Sequence, residues 1–142
     1  MKANVAKKVV SLVLLFTMLM IATVSFCSMQ WTYIYECENS LEDVSTWLTK
    51  KLDFYADMTT YDDGYCGIEA QLQKLGDDGE TWTNVDDKFY EVYTEGHFAN
   101  IDTIVKVGKA GTYRFEILNT AYADTGAALE SAVSYTRTIT VY

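Results

Sequence analysis

Alternation of apolar and polar side chains runs through most of this chain. In 65–75, YCGIEAQLQKL, Ile68 and Leu72 alternate with Glu69 and Gln71. Because successive side chains of a β-strand point to opposite faces, a period of two predicts strands with one buried and one solvated face. The same period recurs in four further segments: 53–61, 98–107, 112–122 and 131–142.

The number and spacing of these segments predict the fold class. With the shorter segments 82–85 and 88–94 they make about seven strands, separated by turn residues at the spacing typical of sandwiches. The chain contains no proline. We therefore expect an all-β protein whose residues 53–142 form an immunoglobulin-like β-sandwich.

The first residues have the layout of a secretory signal. Lys2, Lys7 and Lys8 precede an apolar run that extends from residue 9 to about residue 22, as in a basic region followed by a hydrophobic one. Residues 1–27 are expected to direct export, with cleavage after Ser25 or after Cys27.

An uncleaved anchor is the alternative. The run 9–26 is just long enough to cross a bilayer. The protein would then be held on the outer face of the cytoplasmic membrane, and it would contact the membrane only through these residues.

The charge of the remainder limits its partners. The full chain has a net charge of −9, and loss of the three N-terminal lysines makes it −12. A chain this acidic repels nucleic acid and anionic lipid, and it favours neutral ligands, cations or basic proteins. We expect no cofactor, and the partner remains unknown, with a cell-wall glycan or another surface protein as candidates.

Two cysteines remain if Cys27 leaves with the signal. An even pair in an exported protein indicates a disulfide, here between Cys37 and Cys66. Two unpaired thiols are the alternative.

The lead segment, 28–52, has a weaker pattern. Its first part, 28–39, has no clear period and is compatible with one edge strand. In its second part, Ser40 and Asp43 have the spacing of a helix N-terminus, and apolar residues such as Leu41 and Leu48 recur at helical spacing. We expect a short helix there.

A first hairpin is predicted from the match of apolar faces. A three-residue loop, 62–64, would place Met58 opposite Ile68 and Phe54 opposite Leu72. Such a loop needs a left-handed third residue, which Gly64 can supply.

A second hairpin is predicted around Asp78-Gly79. A two-residue loop at this dipeptide opposes Leu72 to Val85 on the core face. The same register opposes Leu75 to Trp82 on the outer face of the hairpin. It also opposes Gln73 to Asn84.

Two stretches, AQLQKLGDDGETWTNV and FANIDTIVKVGKAGTYRFEI, carry a family resemblance. Over 54–142 the chain resembles small exported proteins of Gram-positive bacteria with an immunoglobulin-like domain of unknown function. The resemblance implies the sandwich fold and implies no activity. Tyr113 would match a tyrosine at the start of a late strand whose hydroxyl bonds to the backbone. The inter-sheet disulfide of antibody domains is missing, because Cys66 has no partner cysteine in 112–122.

Catalytic signals are weak. The one histidine, His97, lies beside a glycine in a turn, and no nucleophile elbow, metalloprotease motif or phosphate-binding loop occurs. The acidic turns YDDG, GDDGE and NVDD could supply oxygen ligands to Ca²⁺, but none has the spacing of a calcium loop. Turn formation by Asp and Gly explains them equally well. We expect neither an enzyme nor a metal site.

Aromatic residues beside amides are the remaining candidates for function. We expect Trp82, Tyr55 and Tyr61 on outer faces, with Gln73 and Asn84 near Trp82. Flat rings among amides suit a sugar-binding face. The alternative, which we favour, is that the lead segment 28–52 packs over Trp82 and buries it.

Overall fold

The computed structural model describes residues 32–61 and 64–142, so the predictions for the signal, its cleavage and the membrane anchor lie outside the described residues. The described residues contain β-strands and no helix, which confirms the all-β prediction. Eight strands follow one another in this part of the chain: β1 (Ile34–Asp43), β2 (Lys51–Thr60), β3 (Tyr65–Leu75), β4 (Trp82–Glu95), β5 (Phe98–Lys106), β6 (Gly111–Tyr122), β7 (Ala128–Tyr135) and β8 (Ile139–Val141).

The strands form two antiparallel sheets. Sheet A has the order β1-β2-β5, and sheet B has the order β4-β3-β6-β7, with β8 also paired to β6. The rings of Phe54 in β2 and Phe115 in β6 stack with their centroids 3.8 Å apart. The two sheets therefore face each other across one apolar core.

The core follows from the alternation seen in the sequence. Every second residue of β2, from Leu52 to Met58, is buried, and the same holds for β3 from Cys66 to Leu72. Each fully buried aliphatic or aromatic side chain contributes about 1.5–3 kcal/mol of burial free energy. This burial holds the sheets together, while the intervening side chains remain on the two outer faces.

The hairpin predicted between 53–61 and 65–75 is wrong. Met58 lies opposite Cys37 and Ala99, because β2 pairs with β1 and β5. Strand β3 instead pairs with β4 and β6. The connection thus crosses between sheets. Apolar side chains that match in register can meet either as neighbours in one sheet or as facing layers of a sandwich, and the pattern alone does not distinguish these cases.

Gly64 has a structural role at this connection. A Cβ at this position would collide with the carbonyl oxygen of Tyr122. The glycine permits a close approach of two backbones where the chain passes from sheet A to sheet B.

The short helix predicted in 40–52 is wrong as well. Residues up to Asp43 continue β1, and Leu41 is fully buried opposite Phe54. Residues 44–50 form the connection to β2, where Trp47 is 92% exposed. Pairing with β2 overrides the helical spacing. Strand β1 is an edge strand of sheet A, as the interpretation of 28–39 allowed.

The hairpin around Asp78-Gly79 has the predicted register. Leu75 lies opposite Trp82, and Gln73 lies opposite Asn84. Gly79 has a φ of 71°, which favours glycine. The expected pairing of Leu72 with Val85 is not formed, because the register shifts between Gln71 and Gln73.

Tyr113 makes the backbone contact that the resemblance implies. Its hydroxyl donates to the carbonyl oxygen of Lys109 at 2.7 Å. The ring is buried at the start of β6. This contact ties the β5–β6 connection to the core.

Candidate binding surface

The outer face of sheet B is a solvent-exposed surface that carries several aromatic side chains. It consists of the outward side chains of β3, β4, β6 and β7. Four of its apolar side chains are about half exposed: Phe89 (50%), Tyr93 (53%), Val133 (57%) and Tyr135 (48%). Carboxylate and amide side chains of the central strands β3 and β6 separate them.

Trp82 lies on this face, as its register predicted, but the described part of the lead segment, 32–52, does not cover it. Strand β1, which contains 10 residues of that part, belongs to sheet A. The guanidinium of Arg114 lies 4.1 Å from the Trp82 ring centroid and 4.2 Å from that of Tyr135. One cation is therefore held between two rings, and Trp82 is half-buried, with an arginine against its ring.

Gln73 connects this stack to the rest of the face. The Arg114 Nε donates to its Oε1 at 3.0 Å. The Gln73 Nε2 donates to Asn84 Oδ1 at 3.2 Å and to Glu116 Oε2 at 2.6 Å. The structure thus brings three predicted site residues, Trp82, Gln73 and Asn84, into one network.

The other two predicted site residues lie elsewhere. Tyr55 is on the outer face of sheet A, where its hydroxyl donates to Asp57 Oδ2 at 2.6 Å. This hydrogen bond, with some burial, raises the pKa of Tyr55 to about 12. Tyr61 follows β2, is 59% exposed, and packs edge-on against Tyr35. A single site cannot contain all five residues.

A groove of about 190 Å³ lies beside the network, on the same face of sheet B. Its walls combine apolar, amide and carboxylate groups, and the residues that line it come from β3, β4 and β6. They are Glu69, Gln71, Asn84, Phe89, Glu116 and Leu118. The groove can take a flat or elongated group against Phe89 and offer hydrogen-bond acceptors at its rim.

A bulge in β4 shapes this groove. Gln71 lies opposite Phe89, whereas Gln73 lies opposite Asn84, so β4 has extra residues between these pairs. The Gln71 Nε2 donates to the carbonyl oxygens of Leu72 and Val85, each at 3.0 Å. By satisfying carbonyls at the bulge, Gln71 fixes the point where Phe89 returns to the outer face.

Sequence reasoning did not find Phe89 as a site residue. The segment 88–94 is aromatic on both faces, so its parity could not be read from the pattern. The sequence signal for the bulge, and so for the change of parity before Phe89, was the pair Asp86-Asp87. In the structure Asp87 has a φ of 59°. Asp tolerates this left-handed conformation better than most residues.

Two tyrosines border the far end of the face. The rings of Tyr93 and Tyr122 have centroids 6.1 Å apart, and both lie over Gly67, where a Cβ would collide with Tyr93. The Tyr93 hydroxyl donates to Glu69 Oε1 at 2.6 Å. This hydrogen bond, with burial and the negative charge, raises the pKa of Tyr93. Tyr93 stays neutral and holds one carboxylate oxygen of the groove.

The two candidate disulfide cysteines are free thiols in this structure. Cys37 in β1 is half-buried against the core, and Cys66 in β3 is fully buried. Burial, followed by the charges of nearby carboxylates, raises the pKa of Cys37 to about 12. Burial also raises the pKa of Cys66. The bridge stays a prediction for the exported protein.

The acidic turn GDDGE has a local structural role. Asp78 Oδ1 accepts the N–H groups of Glu80 and Thr81, and its Oδ2 accepts the Thr81 hydroxyl. These bonds lower the pKa of Asp78 to about 2. In residues 32–61 and 64–142 no group of three or more acidic, His or Cys side chains has the arrangement of a metal site. His97 uses its backbone carbonyl to accept the N–H of Thr60.

No protein-family model and no curated protein matches this chain. Within the described ranges, no helix is long and apolar enough to cross a membrane. The surfaces themselves must therefore support any functional proposal.

Proposed function

We propose that this protein is an exported, non-enzymatic binding module of the cell envelope or medium. Its domain would be an immunoglobulin-like sandwich that recognises a partner through the outer face of sheet B. The observation that carries the proposal is the exposure of Phe89, Tyr93, Val133 and Tyr135 around a groove on one sheet face. Exposed apolar side chains that flank a groove lined with a few polar groups are typical of ligand-binding and interaction sites.

The charge of the face selects the ligand class. Glu69 and Glu116 line the groove, and the whole chain has a net charge of −9. A neutral or cationic ligand meets no electrostatic barrier there, whereas an anionic one is repelled. A cell-wall glycan and a basic segment of another surface protein both satisfy this condition.

Phe89, rather than Trp82, supports the carbohydrate-binding alternative. Trp82 already has Arg114 against its ring, while Phe89 is 50% exposed at the groove. A sugar ring would stack on Phe89 and bond through Asn84 and Gln71 at the rim. Trp82 and Gln73 would then act indirectly, by fixing the network behind Asn84.

Binding to isolated cell walls tests the proposal. Phe89→Ser should reduce retention of the protein on purified wall material, with little change in the melting temperature because the ring is half exposed. Tyr61→Ser on the sheet A side is the matched control, since it removes a similarly exposed ring. Equal retention of the wild type and both variants would refute a glycan site on sheet B.

Trp82→Ala separates structural and binding roles at the same face. We expect this change to lower the free energy of unfolding by roughly 1–2 kcal/mol, because a half-buried ring and one cation–π contact are lost. Chemical denaturation of wild type and variant measures it. A loss of 3 kcal/mol or more, about the cost of truncating a fully buried aromatic, would show that something else covers the ring.

Export and anchoring are distinguished by the mature N-terminus. If the signal 1–27 is cleaved, protein from the culture medium begins after Ser25 or Cys27. Full-length protein recovered from membranes would favour the alternative, an anchored surface protein held by residues 9–26. Full-length protein found soluble in the cytosol would contradict both.

A further inference from the structure

Among residues 32–61 and 64–142, strand β5 forms one edge of sheet A and pairs with β2 on a single side. At one end of this pairing the N–H of Val107 donates to the carbonyl oxygen of Lys50, and at the other the N–H of Thr60 donates to that of His97. The register between these bonds is continuous. Because bonding alternates along an antiparallel strand, the odd-numbered residues bond to β2. The even-numbered residues direct their N–H and C=O groups to the free edge.

The other described edges are blunted, whereas β5 is not. Strand β1 has four exposed acidic residues along its length and a register shift near its start. Strand β4 is interrupted by the bulge, and β7 has a shift of its own. Bulges and repeated like charges are the usual protections of an edge against pairing. Strand β5 has nine residues in regular pairing and charges of both signs.

The outward side chains of β5 are complementary to themselves. Ile104 is 51% exposed, with Asp102 on one side of it and Lys106 on the other. If two copies pair antiparallel with Ile104 opposite Ile104, each Asp102 lies opposite the Lys106 of the other copy. This arrangement gives two opposite-charge cross-strand pairs around an apolar contact.

Backbone chemistry allows the same register. Ile104, Asp102 and Lys106 all have even numbers, so their N–H and C=O groups face the free edge and can form hydrogen-bonded pairs with a second copy. Centring the pairing on Asp102 instead would oppose two like charges directly. That register is disfavoured.

We propose that two copies of this chain associate through their β5 edges, antiparallel and about a two-fold axis at Ile104. The two three-stranded sheets would then form one continuous six-stranded sheet. Such an interface is isologous, so it closes at the dimer and does not propagate into a fibre. The outer face of sheet B is not used, and the dimer would present two copies of it.

Charge reversal tests the pairing. The full chain, purified in detergent micelles, should sediment as a dimer. Asp102→Lys and Lys106→Asp should each weaken self-association by at least about tenfold, since each opposes like charges twice in the dimer. Glu38→Lys on the β1 edge is the matched control and should leave the dimer intact. Melting temperatures confirm that each variant is folded.

The two reversals also make a positive prediction. An equimolar mixture of the Asp102→Lys and Lys106→Asp proteins should form a heterodimer, because all opposed charges are then of opposite sign. The double variant should recover the homodimer. A monomeric wild type, or variants that dimerise as well as the wild type, would overturn the proposal. So would a mixture of two folded single variants that stays monomeric.

Discussion

The Glu130 side chain accepts three backbone hydrogen bonds from the start of another strand. Its carboxylate, in β7, accepts the backbone N–H groups of Thr32, Tyr33 and Ile34 at 3.1, 2.7 and 2.9 Å. One side chain of sheet B therefore holds the beginning of β1 in sheet A. Burial would raise the pKa of Glu130, but the backbone donors at Ile34, Tyr33 and Thr32 outweigh it and lower the pKa below the ordinary value of a glutamate.

Glu130→Gln is expected to destabilise the protein by about 1–2 kcal/mol near neutral pH, because charge-assisted hydrogen bonds are lost. The lowered folded pKa means that the carboxylate contributes fully above its ordinary pKa and loses this contribution as pH falls through the lowered value. The gap in melting temperature between wild type and Glu130→Gln should therefore narrow in acid. Glu95→Gln, at an exposed position, is the control. A gap that is constant with pH would contradict the assignment.

The raised thiol pKa of Cys37 predicts slow alkylation. The thiolate is the reactive form, so native Cys37 should react with iodoacetamide near pH 8 at least about a hundredfold more slowly than the same thiol in unfolded protein. Mass spectrometry of timed samples measures this. Labelling in denaturant without reductant then tests the bridge: label on both Cys37 and Cys66 means free thiols, and label on neither means that these two cysteines are joined.

At the scale of elements, the bulge of β4 determines where Phe89 returns to the candidate surface, and Asp87 lies in this bulge. Asp87 has the one positive φ among the non-glycine residues described. Replacing Asp87 by glycine relieves the strain of a positive φ in the folded protein, and it also raises the backbone entropy of the unfolded chain. Replacing Asp86 by glycine has only the second, destabilising effect.

Asp87→Gly should therefore be at least about 0.5–1 kcal/mol more stable than Asp86→Gly. Urea denaturation of the two variants gives the comparison, since both remove one exposed carboxylate. Equal stabilities would mean that the backbone at Asp87 does not have this conformation in solution.

Predictability differed between elements for a physical reason. The 65–85 hairpin was predictable because a tight turn at Asp78-Gly79 fixes its register locally. The partners of 53–61 and 65–75 were not predictable. Phe54 and Leu72 are buried whether the two segments pair in one sheet or face each other from two sheets. In the candidate site, the parity of Trp82 was predictable. Its cover by Arg114 was not, because it depends on β6 lying beside β3, which is a long-range pairing.

At the scale of the whole molecule, excess negative charge opposes the compact state. The chain has 20 acidic and 11 basic residues, and among the described residues the structure records an ion pair between Arg137 and Glu42 at 3.9 Å, on the surface. Such a pair contributes little. Mutual repulsion among the carboxylates is therefore the dominant long-range electrostatic effect.

Added salt should stabilise the protein. Raising sodium chloride from about 0.02 M to about 0.2 M shortens the Debye length from roughly 20 Å to about 7 Å and screens this repulsion. We expect the melting temperature to rise by about 2–4 °C, which corresponds to roughly 0.5 kcal/mol. An uncharged osmolyte at equal osmolality is the control. A fall in melting temperature on adding salt would show that attractive pairs dominate.

The contact made by Glu130 has a consequence for the order in which the molecule is completed. Its carboxylate and the Thr32 amide are 98 residues apart in sequence. A ribosome adding about 5–20 residues per second makes the amides roughly 5–20 s before it makes their acceptor. Throughout that interval the beginning of β1 has no anchor in sheet B. The beginning of β1 therefore stays unanchored to sheet B in the nascent chain until Glu130 of β7 has been synthesised.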